Sequence, residues 1–127
     1  MKRILPSGLS LLFLLAGCSG AETDRSYEQI TQEKAKEMMD TQDVIVLDVR
    51  EQDEYDSGLL PSAALLPVGT SDEDTAGEVI PEKDPTVLVY CRSGNRSKAA
   101  SDTLVKLGYT KVYEFGGINT WPYAIEQ

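Results

Sequence analysis

Thr86-Val87-Leu88-Val89-Tyr90-Cys91-Arg92-Ser93-Gly94-Asn95-Arg96-Ser97 is the stretch on which the reading of this chain turns. Its first five residues form a continuous apolar, β-branched run, the pattern of a strand buried on both faces. From Ser97 to Leu107 the period changes. Ala100, Leu104 and Leu107 fall on one helical face, and Gly108 supplies the stop. A buried strand that runs through a short polar loop into a helix is the repeating unit of an α/β sheet, and such sheets bind ligands beyond the carboxyl ends of their strands.

The flanking sequence repeats the unit. Thr31 is placed to cap a helix that carries Ala35, Met38 and Met39 as its apolar stripe, the two methionines being core packing. Val44-Ile45-Val46-Leu47 is a second fully buried strand, ended by Asp48-Val49-Arg50, and Glu51 to Tyr55 has room for one helical turn. Gly58 to Pro61 is a turn, Ala63 to Val68 a short strand, and Thr75 to Val79 a short helix within the acidic segment Gly69 to Asp84; Asp72-Glu73-Asp74 reads as solvated loop. Lys111 to Phe115 is a last strand, followed by Gly116-Gly117. Strands alternating with helices predict one α/β domain, Tyr27 to Gln127, with a mostly parallel central sheet covered by helices on both faces.

Composition removes many chemistries. The chain of 127 residues has no histidine, two cysteines (Cys18 and Cys91) and a net charge of −9. Without histidine there is no Ser-His-Asp triad, no Cys-His dyad and no histidine-ligated metal. Two cysteines are too few for a Cys-only zinc site or an iron–sulfur cluster, so no metal is expected. The acidic balance argues against nucleic acid as a partner, because phosphate backbones need a basic face.

The N-terminus reads as an address. Met1-Lys2-Arg3 is basic, Ile4 to Ala16 is mostly apolar, and Leu15-Ala16-Gly17-Cys18 closes the run with small residues and a cysteine. The apolar stretch is shorter than the roughly 20 residues a membrane-spanning helix needs, and the layout is that of a signal peptide. It resembles the bacterial lipobox. That resemblance implies cleavage before Cys18, lipidation of its thiol, and anchoring to a membrane facing the periplasm or exterior, with residues 18–26 as a polar tether. Removal of residues 1–17 takes away Lys2 and Arg3 and no acid. It would leave 110 of the 127 residues and move the net charge from −9 to −11.

The loop after Tyr90 carries the chemistry. A cysteine between a strand end and a helix start meets unpaired amides, the helix dipole and nearby cations, all of which favour the thiolate. Gly94 and Asn95 tolerate the backbone geometry of a tight anion cradle. From Pro85 to Ser101 there is no acid but there are Arg92, Arg96 and Lys98, a positive window in an acidic protein. Arg96 is placed to hold the loop or the substrate, and Arg92 to face solvent. The alternative is a buried inert cysteine at a strand end, a common fate of free Cys.

This loop resembles the active-site loop of the rhodanese (sulfurtransferase) family, in particular its single-domain members. Asp48-Val49-Arg50 with Glu54-Tyr55, Gly58 to Ala63, Cys91 to Ser97, and Gly116-Gly117 with Trp121 match family signatures in order. The chain departs from the pattern at Leu59, where histidine is usual, at Ser62, where glycine is usual, and at Leu65, often asparagine. The resemblance implies transfer of a sulfane sulfur from thiosulfate or a related small anion, through a persulfide on Cys91, to cyanide or a thiol, with no cofactor. It implies substrate contacts from Arg92, Ser93, Gly94, Asn95 and Arg96, and loop support from Asp48, Arg50 and Ser97. Asp48 is expected to anchor by hydrogen bonds, Arg50 to pair with an acid such as Glu54, and Trp121 to pack in the core or as a lid.

Three rival readings remain at this level. Cysteine-dependent phosphatases also use a strand–Cys loop–Arg–helix unit, but they place the arginine one position later, where this chain has Ser97. A non-catalytic binding module would have no need of the intact loop. A sulfur carrier or redox thiol protein would use the same persulfide with a protein acceptor.

Overall fold

The computed structural model describes residues 26–127; the leader, Cys18 and nearly all of the tether lie outside them. In chain order the elements are β1 (Glu28–Gln29), α1 (Gln32–Thr41), β2 (Val44–Asp48), α2 (Gln52–Asp56), β3 (Ala64–Leu65), α3 (Glu73–Val79), β4 (Thr86–Cys91), α4 (Asn95–Lys106) and β5 (Lys111–Gly117), with 3-10 turns at Val68–Thr70 and Ile118–Thr120. The five strands form one sheet in the order β1-β5-β4-β2-β3, and every pairing is parallel.

The period-2 alternation of the strands divides the core in two. Leu47, Val49, Val87, Val89, Cys91 and Val112 face α3 and α4, where they pack on Ala76, Ala100 and Leu104. Val46, Leu88, Tyr90 and Phe115 face the other way, onto Ala35 and Met38 of α1 and half-buried Tyr55 of α2. Both faces of the sheet are therefore covered by helices. Trp121 is 9% exposed and packs with its ring tilted against Phe115, a core role.

Local chemistry accounts for the boundaries. The Thr31 hydroxyl accepts from the Lys34 amide and caps α1. Asp72 and Thr75 form a reciprocal capping box, so the acidic Asp72-Glu73-Asp74, expected as loop, instead starts α3: its charges sit at the positive end of the helix dipole. Helix α4 begins at Asn95, two residues before the sequence suggests, because Gly94 at φ +114° turns the chain into it. Strand β1 has no sequence signal. It is two exposed polar residues held by pairing with Tyr113 and Glu114.

The positions that depart from the family pattern lie together on the β2–β3 side. Leu59 exchanges two backbone hydrogen bonds with Glu126, which clamps the C-terminal segment to the domain. Ser62 keeps a left-handed backbone, φ +65°, at the position where glycine is usual, a conformation that costs a non-glycine residue about 1 kcal/mol. Leu65 pairs with Asp48 in the sheet.

Candidate active site

Strands β2 and β4 end side by side, with Asp48 opposite Tyr90. Asp48 is fully buried and Arg50 is 4% exposed. Arg50 Nη2 donates to Asp48 Oδ2 at 2.7 Å and its Nε to Oδ1 at 3.0 Å, and a second Nη2 bond reaches the Gly58 carbonyl at 2.6 Å. The Tyr90 hydroxyl donates to Asp48 at 2.5 Å and accepts from the Leu60 amide. Burial, with Asp48 as its hydrogen-bond partner, pushes the Tyr90 hydroxyl well above its usual range. Asp48 thus anchors by hydrogen bonds, as expected. The expected Arg50–Glu54 pair does not form. The strand end turns Arg50 inward onto Asp48, whereas Glu54, on the first turn of α2, faces outward to a different arginine.

That arginine is Arg96. Its Nη1 and Nη2 donate to Glu54 Oε1 and Oε2 at 2.7 and 2.9 Å, a two-pronged ion pair that ties the start of α4 to α2. The Arg96 bond, which outweighs partial burial, holds the Glu54 carboxyl down at about 2. The pairing stabilises the fold fully above the ordinary glutamate range, and the contribution fades as pH falls from about 4.5 towards 2. Both side chains are partly exposed (32% and 22%), so solvent screening keeps it to about 1 kcal/mol. Glu54→Gln should lower the melting temperature at pH 6 and leave it unchanged near pH 2. An equal deficit at both pH values would show that the loss is one of shape rather than charge.

Cys91 ends β4 on the α4 side and is 1% exposed. Its Sγ accepts from the Gly94 amide at 3.1 Å and the Ser97 amide at 3.3 Å, and it lies 3.4 Å from Ser97 Oγ. Burial works against the thiolate. The Ser97 hydroxyl and the amides of Ser97, Gly94 and Ser93 together outweigh it and lower the thiol below its ordinary value. Arg92, Ser93 and Asn95 are exposed around the cradle, and Gly94 and Ser97 are buried inside it. A cleft of about 290 Å³ opens beside the loop, bounded by Gln29, Gln32, Ser93, Lys98, Glu114 and Thr120.

Gly117 is what lets the loop close. A Cβ there would fall 1.9 Å from the Arg92 carbonyl oxygen, closer than atoms can approach, so β5 can pass under the loop only as glycine. The Arg92 carbonyl also accepts from the Asn119 amide.

The structure corrects the acid-free window. Contiguous sequence from Pro85 to Ser101 is acid-free, but the fold brings in Glu54 from α2 and Glu114 from β5. Arg96 is neutralised by the first, so the amides of Gly94 and Ser97 take on the support of the sulfur that the arginines were expected to share. Glu114, 1% exposed, is the residue that sequence reasoning missed. Its signal was there: a lone acid inside the strand Val112-Tyr113-Glu114-Phe115, on the same face as Val112.

Residues 31–123 match the model of the rhodanese-like domain. The chain belongs to the rhodanese family. It is 33% identical over 96 residues to the thiosulfate sulfurtransferase GlpE of Coxiella burnetii, covering 75% of this chain and 87% of that one. It is 42% identical over 83 residues to a putative mitochondrial thiosulfate sulfurtransferase of Schizosaccharomyces pombe, a match that covers 58% of each protein. Among solved structures, a rhodanese-related protein of Thermoplasma volcanium superposes with a TM-score of 0.63 at 29% identity, over 79% of this chain and 98% of that one. Within this rhodanese domain, the Cys91 loop, the buried Asp48–Arg50 pair and the Gly116-Gly117 crossing meet at one end of the sheet.

Proposed function

We propose that this protein is a sulfurtransferase that takes a sulfane sulfur from thiosulfate or a related small anion and passes it to cyanide or a thiol. The observation that carries this reading is the cradle: a buried sulfur facing two amides and a hydroxyl at a helix start, with its thiol lowered. The Cys91 thiolate attacks the outer sulfur of the donor. The S–S bond of thiosulfate breaks, sulfite leaves with its electron pair, and the new terminal sulfur of the Cys91 persulfide carries the negative charge. That sulfur sits where the loop amides and the positive end of α4 stabilise charge. The acceptor then attacks the terminal sulfur and restores the thiolate. Sulfite is a good leaving group and the cradle favours the ionised form of the sulfur, so the reaction makes no demand for a histidine. Arg92, exposed at the rim, is suited to drawing in the anion.

The test is direct. Thiosulfate should add one sulfur atom to the Cys91 peptide of the full chain, and cyanide should then remove it as thiocyanate. No mass gain on that peptide would overturn the reading.

The proposed location is the cell envelope, by lipid on Cys18. Two or three acyl chains anchor stably where one does not. Cys18→Ser should release the protein to the soluble fraction, and unchanged membrane association would remove the anchor.

A further inference from the structure

Ser97 has one hydroxyl hydrogen and two lone pairs, and four groups surround its oxygen. Glu114 Oε2 lies at 2.5 Å, the Gly94 carbonyl at 3.0 Å, and the Gly116 carbonyl and Cys91 Sγ each at 3.4 Å. Only one can receive the hydrogen. An ionised carboxylate is the strongest acceptor of the four and also the nearest. While Glu114 is ionised, Ser97 therefore points its hydrogen at Glu114 and presents a lone pair to sulfur, an arrangement that suits S–H. While Glu114 is protonated it donates to Ser97, and the Ser97 hydrogen is free for the thiolate.

We propose that Glu114 is the internal proton acceptor for Cys91, reached through the Ser97 hydroxyl, so that thiol and carboxyl share a single negative charge. In the transfer, the S–H bond of Cys91 breaks and its electron pair stays on sulfur. The proton binds Ser97 Oγ while the Ser97 proton passes to Glu114 Oε2. The charge of the three groups together is −1 before and after. Cys91, Ser97 and Glu114 are each 1% exposed or less, so no water need take part.

The surroundings favour this sharing. Glu114 is held by uncharged donors, the Gln29 amide at 3.1 Å and the Gly116 N–H at 2.9 Å. Among the described residues no lysine or arginine forms an ion pair with it. A buried carboxylate without a cation is costly, and two buried anions on one hydroxyl are costlier. The charged groups nearby are otherwise engaged or exposed. Lys98 of α4 lines the same cleft from an exposed position, Arg96 is held by Glu54 of α2, and Arg92 is exposed. Helix α1 contributes the uncharged Gln32, which bonds the Gly117 carbonyl, and Tyr27 packs on the same core.

The inference rests on the site of the proposed sulfurtransferase but not on sulfur being the group it moves. Its consequence is a thiolate formed without net loss of a proton from the site, so that reactivity is flat over the pH range in which the pair holds one proton. The experiment is the rate of alkylation of Cys91 by iodoacetamide in the full chain, read on the Cys91 peptide from pH 5 to 8. The native protein should vary by less than about twofold between pH 5 and 7. Glu114→Gln should fall about tenfold per pH unit below a single midpoint, as one isolated ionisation does. Ser97→Ala, which keeps the carboxyl and removes the bridge, should show the same slope. A purely structural role for Glu114 would move a midpoint but leave all three slopes alike. A native profile that already falls tenfold per unit would overturn the proposal, as would a plateau that survives in either variant. If both variants fail to fold, the native protein still decides the matter. The proton that leaves sulfur stays on Glu114, so the infrared spectrum of the native protein at pH 6 must show a buried protonated carboxyl, and its absence would sink the relay. A plateau without persulfide formation would remove the sulfurtransferase reading and leave the relay; persulfide without a plateau would do the reverse.

Discussion

Cys91→Ala is expected to abolish both the one-sulfur mass gain and thiocyanate formation, a loss of about a thousandfold or more. Cys91 is the free thiol among the described residues, and the side chains that touch it cannot replace it. The Ser97 hydroxyl is buried, engaged with Glu114, and far less acidic than a thiol. Ser93 is exposed beyond the cradle, and its hydroxyl lacks the two amides that face Sγ. Cys91→Ser is the sharper form of the same prediction. It keeps the shape and the hydrogen-bonding capacity of the site, so its melting temperature should stay near that of the native protein while turnover vanishes. Activity within tenfold of native in either variant would place the chemistry elsewhere.

Asp48→Ala should cost about 3–5 kcal/mol of folding stability, the penalty for leaving a buried charge without its partner. Arg50 is 4% exposed and donates to both Asp48 oxygens; truncation leaves that guanidinium with the Gly58 carbonyl alone. The Tyr90 hydroxyl loses its acceptor in the same step. Urea or guanidinium unfolding measures the loss. In the double variant Asp48→Ala, Arg50→Met, the unpaired charge is gone and much of the stability should return, because a buried pair contributes less than either half costs when stranded. A single-variant loss under about 1 kcal/mol would mean that water reaches Arg50. Asp48 sits beside the end of β4, so the same variant should also loosen the Cys91 loop.

Much of the architecture was legible because burial writes a period into a sequence. Val44 to Leu47 and Thr86 to Tyr90 are unbroken apolar runs, and a strand with helices on both faces has no reason to alternate. Thr31 and Gly108 mark helix ends because one offers a side-chain acceptor and the other a positive φ, +106°. Strand β1 was not legible. Two exposed polar residues carry no pattern, and they become a strand through the edge that β5 offers. Asp72 to Asp74 misled because charge is read as solvation, whereas three residues at a helix start are also capping groups.

The site divides the same way. Cys91, Gly94 and Ser97 are close in sequence, so their cradle follows from a local turn, and the sequence by itself determined the position of the sulfur, the glycine that admits the turn and the helix whose amides face it. What only the tertiary structure decided is which charges meet them. Arg50 took Asp48 rather than Glu54, Glu54 took Arg96, and Glu114, 23 positions beyond Cys91, arrived beneath the loop on a neighbouring strand. The reason is physical. Amide donors near a helix start come from the chain's own local geometry, but ion pairs and buried hydrogen bonds act through space, and the space is set by strand order and register.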